Sequence, residues 1–168
     1  AATRVNADGN IEKETQNLIT YSNTFNQWSP TRGNLSQGVA DPFGGNNAWS
    51  LTATNTDPYL YNQTAWSGVV TLSIWAKGLG SSIGKPIQLR MGGNFVERTL
   101  TSEWQRFEHF TSGSAANIGI EVPNPAVAGD VVHLYGAQLN YGTIATDYIE
   151  TTTAAVYGGI TDNTPRLD

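Results

Sequence analysis

The chain of 168 residues has the length of one domain and can bury enough surface to fold without staples. It holds no cysteine, one methionine and only 14% charged residues, which removes disulfide frameworks, thiolate metal sites and cysteine nucleophiles. Nine Lys and Arg against fourteen Asp and Glu leave a net charge of −5. That sign repels phosphate backbones and anionic lipid, so no nucleic acid is expected as a partner, and no apolar run approaches the roughly 20 residues of a membrane span.

Residues 1–16 are polar, carry Asp8-Gly9-Asn10 and lack sustained periodicity, which predicts a linker or entry segment. From Leu18 onward, short apolar and aromatic runs alternate with Gly, Pro, Asn and Ser clusters, the texture of an all-β, two-sheet antiparallel sandwich. Ala48 to Thr52 and Pro58 to Tyr61 are candidate strands on either side of an Asn/Thr/Asp turn. Val69 to Lys77 alternates cleanly, with Val70, Leu72, Ile74 and Ala76 on one face and Thr71, Ser73, Trp75 and Lys77 on the other. Lys85 to Met91 repeats the pattern, and Gly92-Gly93-Asn94 turns it into Phe95 to Leu100 as a hairpin. Glu103 to Thr111, Ala116 to Val122 and Val131 to Leu139 follow as strands, the second ended by Pro123 and Pro125. The predicted sandwich spans 17–153, and 154–168 read as a C-terminal linker, so the chain is expected to be a module of a longer polypeptide.

The inventory of catalytic groups is thin. His109 and His133 both sit in strand patterns without a second histidine at ligand spacing, and no Gly-x-Ser-x-Gly elbow, phosphate loop or dinucleotide fingerprint occurs. Glu97, Glu103, Glu108 and Glu121 lie on or beside strands, but no spacing marks a catalytic pair. The chain is read as non-enzymatic.

Binding groups are better supplied, with five Trp and seven Tyr, flat amphipathic rings suited to stacking on sugars. Trp28, Trp49 and Trp104 sit among apolar residues and are assigned to packing. Trp75 lies opposite Leu72 and Ile74, and the same count places Gln88, Arg90, His133 and Tyr135 on outward positions. Together these five would make a stacking platform ringed by hydrogen-bonding groups; alternatively they are cross-strand pairs on a wet face or one covered by another subunit. A second candidate set is the loop region of Asp57, Tyr59, Tyr61 and Trp66.

The run Asn17-Leu18-Ile19-Thr20-Tyr21-Ser22-Asn23-Thr24-Phe25 with Trp28 opens a series of short matches. It continues through Leu72 to Gly78, Trp104 to Phe107, Leu134 to Leu139 and Asp147 to Thr151. In order and spacing this series resembles a jelly-roll module of bacteriophage tail-fibre and tailspike receptor-binding proteins. Residues 2–6 and 160–168 resemble the connecting segments of such fibres. The resemblance implies a fold similar to carbohydrate-binding modules, a non-catalytic role in the extracellular virion, a bacterial surface polysaccharide as partner and a homotrimeric parent fibre. It transfers no ligand residues, because Trp75, Trp104, Arg106, Gly136 and Gln138 look like fold determinants. No cofactor is expected. Relatives often hold a structural calcium ion, for which Asp130 and Glu150 are the carboxylates considered. Two alternative roles are a structural spacer or trimerisation unit of the fibre, and a carbohydrate-binding module appended to a polysaccharide-degrading enzyme.

Overall fold

The computed structural model describes residues 3–5, 11–13 and 16–157. Expectations for 158–168, for residues 1, 2, 14 and 15, and for 6–10 lie outside the described residues. Within the entry segment, β1 (Thr3–Val5) and β2 (Ile11–Lys13) pair antiparallel with each other.

Ten further strands form two antiparallel sheets of five. In chain order they are β3 (Ser29–Thr31), β4 (Gly33–Val39), β5 (Ala48–Ala53), β6 (Tyr59–Asn62), β7 (Trp66–Leu79), β8 (Pro86–Met91), β9 (Asn94–Thr99), β10 (Gln105–Ala115), β11 (Ile118–Glu121) and β12 (Val131–Tyr141). One sheet runs β3-β6-β11-β8-β9 and the other β10-β7-β12-β5-β4. The expected two-sheet sandwich is present. Eight of its strands coincide with the alternating runs of the sequence. β3 and β4 were not expected; they are edge strands of mostly polar residues, in which only Leu35 packs against the core.

Alternation fills the space between the sheets. Val70, Leu72, Ile74 and Ala76 of β7 and Val132 and Leu134 of β12 are buried against Ile87, Leu89, Ile118, Ile120 and Leu60 of the other sheet. Each such aliphatic side chain contributes about 1.5–3 kcal/mol by leaving water.

The outer face of the β7-β12 sheet is partly roofed by the segments 17–22 and 146–156. Asn17 and Val156 exchange two backbone hydrogen bonds of 2.8 Å, so pairing continues past the predicted boundary at 153. Gln138 donates to the Thr146 carbonyl (3.0 Å) and accepts from the Ile149 N–H (2.9 Å), while the Ser22 hydroxyl meets that of Tyr148 at 2.8 Å. Gly136, at φ +60° in the bulge of β12, leaves room for this roof, since a Cβ there would lie 3.0 Å from Tyr148 Cζ.

Asp130, only 2% exposed, is consumed by the fold. Its carboxylate accepts from Ser81 Oγ (2.5 Å), Lys85 Nζ (2.5 Å) and the Val127 N–H (2.9 Å). Burial pushes its pKa up, but the Lys85, Ser81 and Val127 donors outweigh this and hold it below the ordinary 3.8. Because the folded pKa is depressed, the stabilisation is complete above the unfolded value and is lost as pH falls through the folded one. Thermal melts should therefore show Tm dropping below about pH 4, and dropping less steeply in Asp130→Asn; equal slopes in both proteins would refute this assignment. Among the described residues no three His, Asp or Glu side chains gather as a metal site.

Candidate functional site

The outer face of the β3-β6-β11-β8-β9 sheet carries two rows of side chains set by strand register. One row runs Ser29, Tyr61, Gly119, Arg90, Phe95, and the next runs Thr31, Tyr59, Glu121, Gln88, Glu97. With strands about 4.8 Å apart, each row crosses roughly 19 Å of surface. Tyr59 and Tyr61 stand edge to face with centroids 4.9 Å apart. The Tyr61 ring lies directly over Gly119, where a Cβ would come within 2.6 Å of its Cε1.

Planar polar groups adjoin the rings. Arg90 forms an ion pair with Glu121, donates from Nε to Gln88 Oε1 (3.3 Å), and stacks its guanidinium 4.5 Å from the Phe95 centroid. Gln88 Nε2 donates to Glu97 Oε2 at 2.8 Å. The Arg32 guanidinium sits over the Tyr59 ring, 5.8 Å from its centroid. These contacts fix side-chain orientation before any ligand arrives, which lowers the ordering cost of binding. Rings for C–H faces, with Arg90, Glu97 and Glu121 beside them to donate to and accept from hydroxyls and the buried Gln88 holding Arg90 and Glu97 in place, are the chemistry a neutral polyhydroxy ligand requires.

The outer face of the other sheet has a different character. Phe43, Trp75, Tyr135 and Tyr148 form an edge-to-face cluster with centroids 5.2–6.0 Å apart. With Arg106 and Asp147 they line a cleft of about 460 Å³. Phe43 reaches it from a loop organised by Asp41, whose carboxylate accepts from the N–H groups of Phe43 (2.8 Å), Gly45 (3.0 Å) and Asn47 (3.1 Å). Burial opposes ionisation of Asp41, but these donors hold its pKa below the ordinary value. Further along the face, Trp104 has the Lys77 ammonium 5.8 Å from its centroid and the His133 ring 6.5 Å away. Burial and then the Lys77 ammonium push the His133 pKa down, so its imidazole is neutral at pH 7.

The structure regroups the expected residues. Trp75, His133 and Tyr135 do share an outer face, but Gln88 and Arg90 lie on the opposite one, beside Tyr59 and Tyr61. Alternation distinguishes inward from outward positions; it does not say which sheet a strand joins. Asp57 occupies the turn before β6, at φ +53°. Trp66 belongs to the core, 6% exposed, with its indole N–H donated to the Asn117 carbonyl (3.2 Å). Trp28 and Trp49 are buried as expected, whereas Trp104 is half-buried on the outer face. Sequence reasoning assigned no binding role to Glu121, Phe95 and Arg32 on one face or to Phe43, Arg106, Asp147 and Tyr148 on the other. A phenylalanine set in the polar, glycine-rich loop from Asp41 to Asn47 was the one available signal for Phe43.

No family model and no curated protein sequence matches the chain. Solved structures do. The chain is similar to TmCBM61, solved with β-1,4-galactotriose, at TM-score 0.57 and 20% identity, covering 76% of this chain and all of that one. It is similar to the CBM22-1 xylan-binding domain of Paenibacillus barcinonensis Xyn10C at TM-score 0.53 and 13% identity, covering 81% and 99% of the two chains. The CBM22-1-GH10 modules of Clostridium thermocellum xylanase 10B, complexed with xylohexaose, align at TM-score 0.50 and 7% identity, over 82% of this chain and 30% of that one. The chain thus has the β-sandwich fold of carbohydrate-binding modules.

Proposed function

We propose that this chain is a non-catalytic polysaccharide-binding module whose ligand lies across the sheet face of Tyr59, Tyr61, Gln88, Arg90 and Glu121. The observation that carries the reading is the pair of cross-strand rows, in which stacking rings and oriented hydrogen-bonding groups alternate over a span longer than one sugar ring. The sandwich fold it shares with modules solved on β-1,4-galactotriose and xylohexaose supports it. The setting we propose is a homotrimeric phage tail fibre or related virion protein recognising polysaccharide on a bacterial surface, a reading that rests on the resemblance of five ordered runs of the sequence to such modules. A module appended to a polysaccharide-degrading enzyme is the second reading, favoured by the likeness to modules of a xylanase.

An array of bacterial surface and plant polysaccharides tests both. The wild-type chain should bind at least one glycan, and Tyr61→Ala and Arg90→Ala should each weaken that binding about ten- to hundredfold, the size of a lost charged hydrogen bond or stacked ring. No glycan bound, or binding by both variants equal to that of the wild-type chain, would remove the proposal. Preference for bacterial glycans with a trimeric mass by light scattering supports the fibre; preference for plant glycans by a monomer supports the enzyme.

A further inference from the structure

The cleft of Phe43, Trp75, Arg106, Tyr135, Asp147 and Tyr148 is separated from the proposed platform by both sheets. It has a feature that packing alone does not account for. Arg106 stacks its guanidinium 4.4 Å from the Trp75 centroid, yet its Nε and Nη2 are shut from solvent with no hydrogen-bond partner. Buried guanidinium donors are normally satisfied, because leaving them unmade is costly. Nor is an anion the fitting acceptor. The carboxylates of Glu108 and Asp147 act on Arg106, and those of Asp41 and Glu150 act on Tyr135, so the surroundings of the cleft are acidic. What remains is a neutral acceptor with an apolar face, and Asp147 is exposed at the rim to accept a hydroxyl in return.

We propose that this cleft is a second saccharide subsite, which takes a single neutral sugar ring against Trp75 and Tyr135, with the Arg106 guanidinium shifting from its closed position to donate to a ring or hydroxyl oxygen and Asp147 accepting from a hydroxyl. The inference rests on the polysaccharide-binding reading above. It makes the module bivalent, with sites facing opposite ways, so that one chain can join two strands of glycan and gain avidity without new contacts.

The Trp75 indole N–H reports on the cleft in a two-dimensional 15N–1H NMR spectrum, and the platform is removed with Tyr61→Ala/Arg90→Ala. Titration of that double variant with β-1,4-galactotriose and with xylohexaose should still shift the Trp75 signal. Adding Arg106→Gln should weaken that response about tenfold, and Asp147→Asn, a surface change, supplies a second variant should Arg106→Gln not fold. Platform signals that move in the wild-type chain while the Trp75 indole stays fixed would overturn the second subsite and leave the first reading standing. A wild-type chain in which neither face responds to either oligosaccharide, and which binds nothing on the array, would overturn both.

Discussion

Replacing Asn17 with alanine will cost about 3–5 kcal/mol of stability, a large share of the 5–15 kcal/mol that holds a domain together. Asn17 is fully buried. Its Nδ2 donates to the carbonyls of Ala137 (3.0 Å) and Ile149 (2.8 Å), and its Oδ1 accepts from the N–H groups of Ile19 (3.1 Å) and Leu139 (3.2 Å). One side chain therefore satisfies four backbone groups from three separate stretches. Alanine orphans all four in a space that water refills only in part. Asn17→Asp should be no better, because its second oxygen would face two carbonyls. Chemical denaturation measures the loss, and a change under 1 kcal/mol would show that the buried amide is dispensable.

Gly119→Ala will weaken glycan binding about as much as Tyr61→Ala, about tenfold or more. A Cβ at position 119 would lie 2.6 Å and 2.7 Å from two carbons of the Tyr61 ring, and the ring is what must give way. Gly119 itself offers no group to a ligand, so its effect has to pass through Tyr61. That route predicts non-additivity: Gly119→Ala/Tyr61→Ala should bind no worse than Tyr61→Ala alone. A double variant that loses the sum of the two single losses would mean that Gly119 acts through the backbone of β11 instead.

The sandwich was legible where apolar residues mark one buried face, and where a glycine turn marks a hairpin, as into the edge strand β9. β7 and β8 show this, since their apolar residues recur every second position and those positions are buried. β3 and β4 were illegible because an edge strand of Ser, Thr, Gly and Gln needs pairing on one side only and little burial. The candidate residues were recognised by type but not by grouping. Gln88 and Arg90 have the same local pattern as Trp75 and Lys77, and the two pairs part company only because the chain crosses from one sheet to the other between β7 and β8. Trp66 had the composition of a loop aromatic, and it went inward because the long strand β7 begins at that residue. The motif residues Asn17, Ser22, Gln138 and Tyr148 share one physical task, the hydrogen-bonded roof over the β7-β12 sheet.

That roof also decides how the sandwich carries mechanical load. Asn17 and Val156 lie far apart in the sequence and are hydrogen-bonded to each other. Tension applied across these two residues meets their bridge together with the Gln16 and Asn17 side chains, which are bonded to Tyr141, Ala137 and Leu139 of β12. A load on that latch would pass into β12, the middle strand of its sheet, which is held on both sides by β7 and β5.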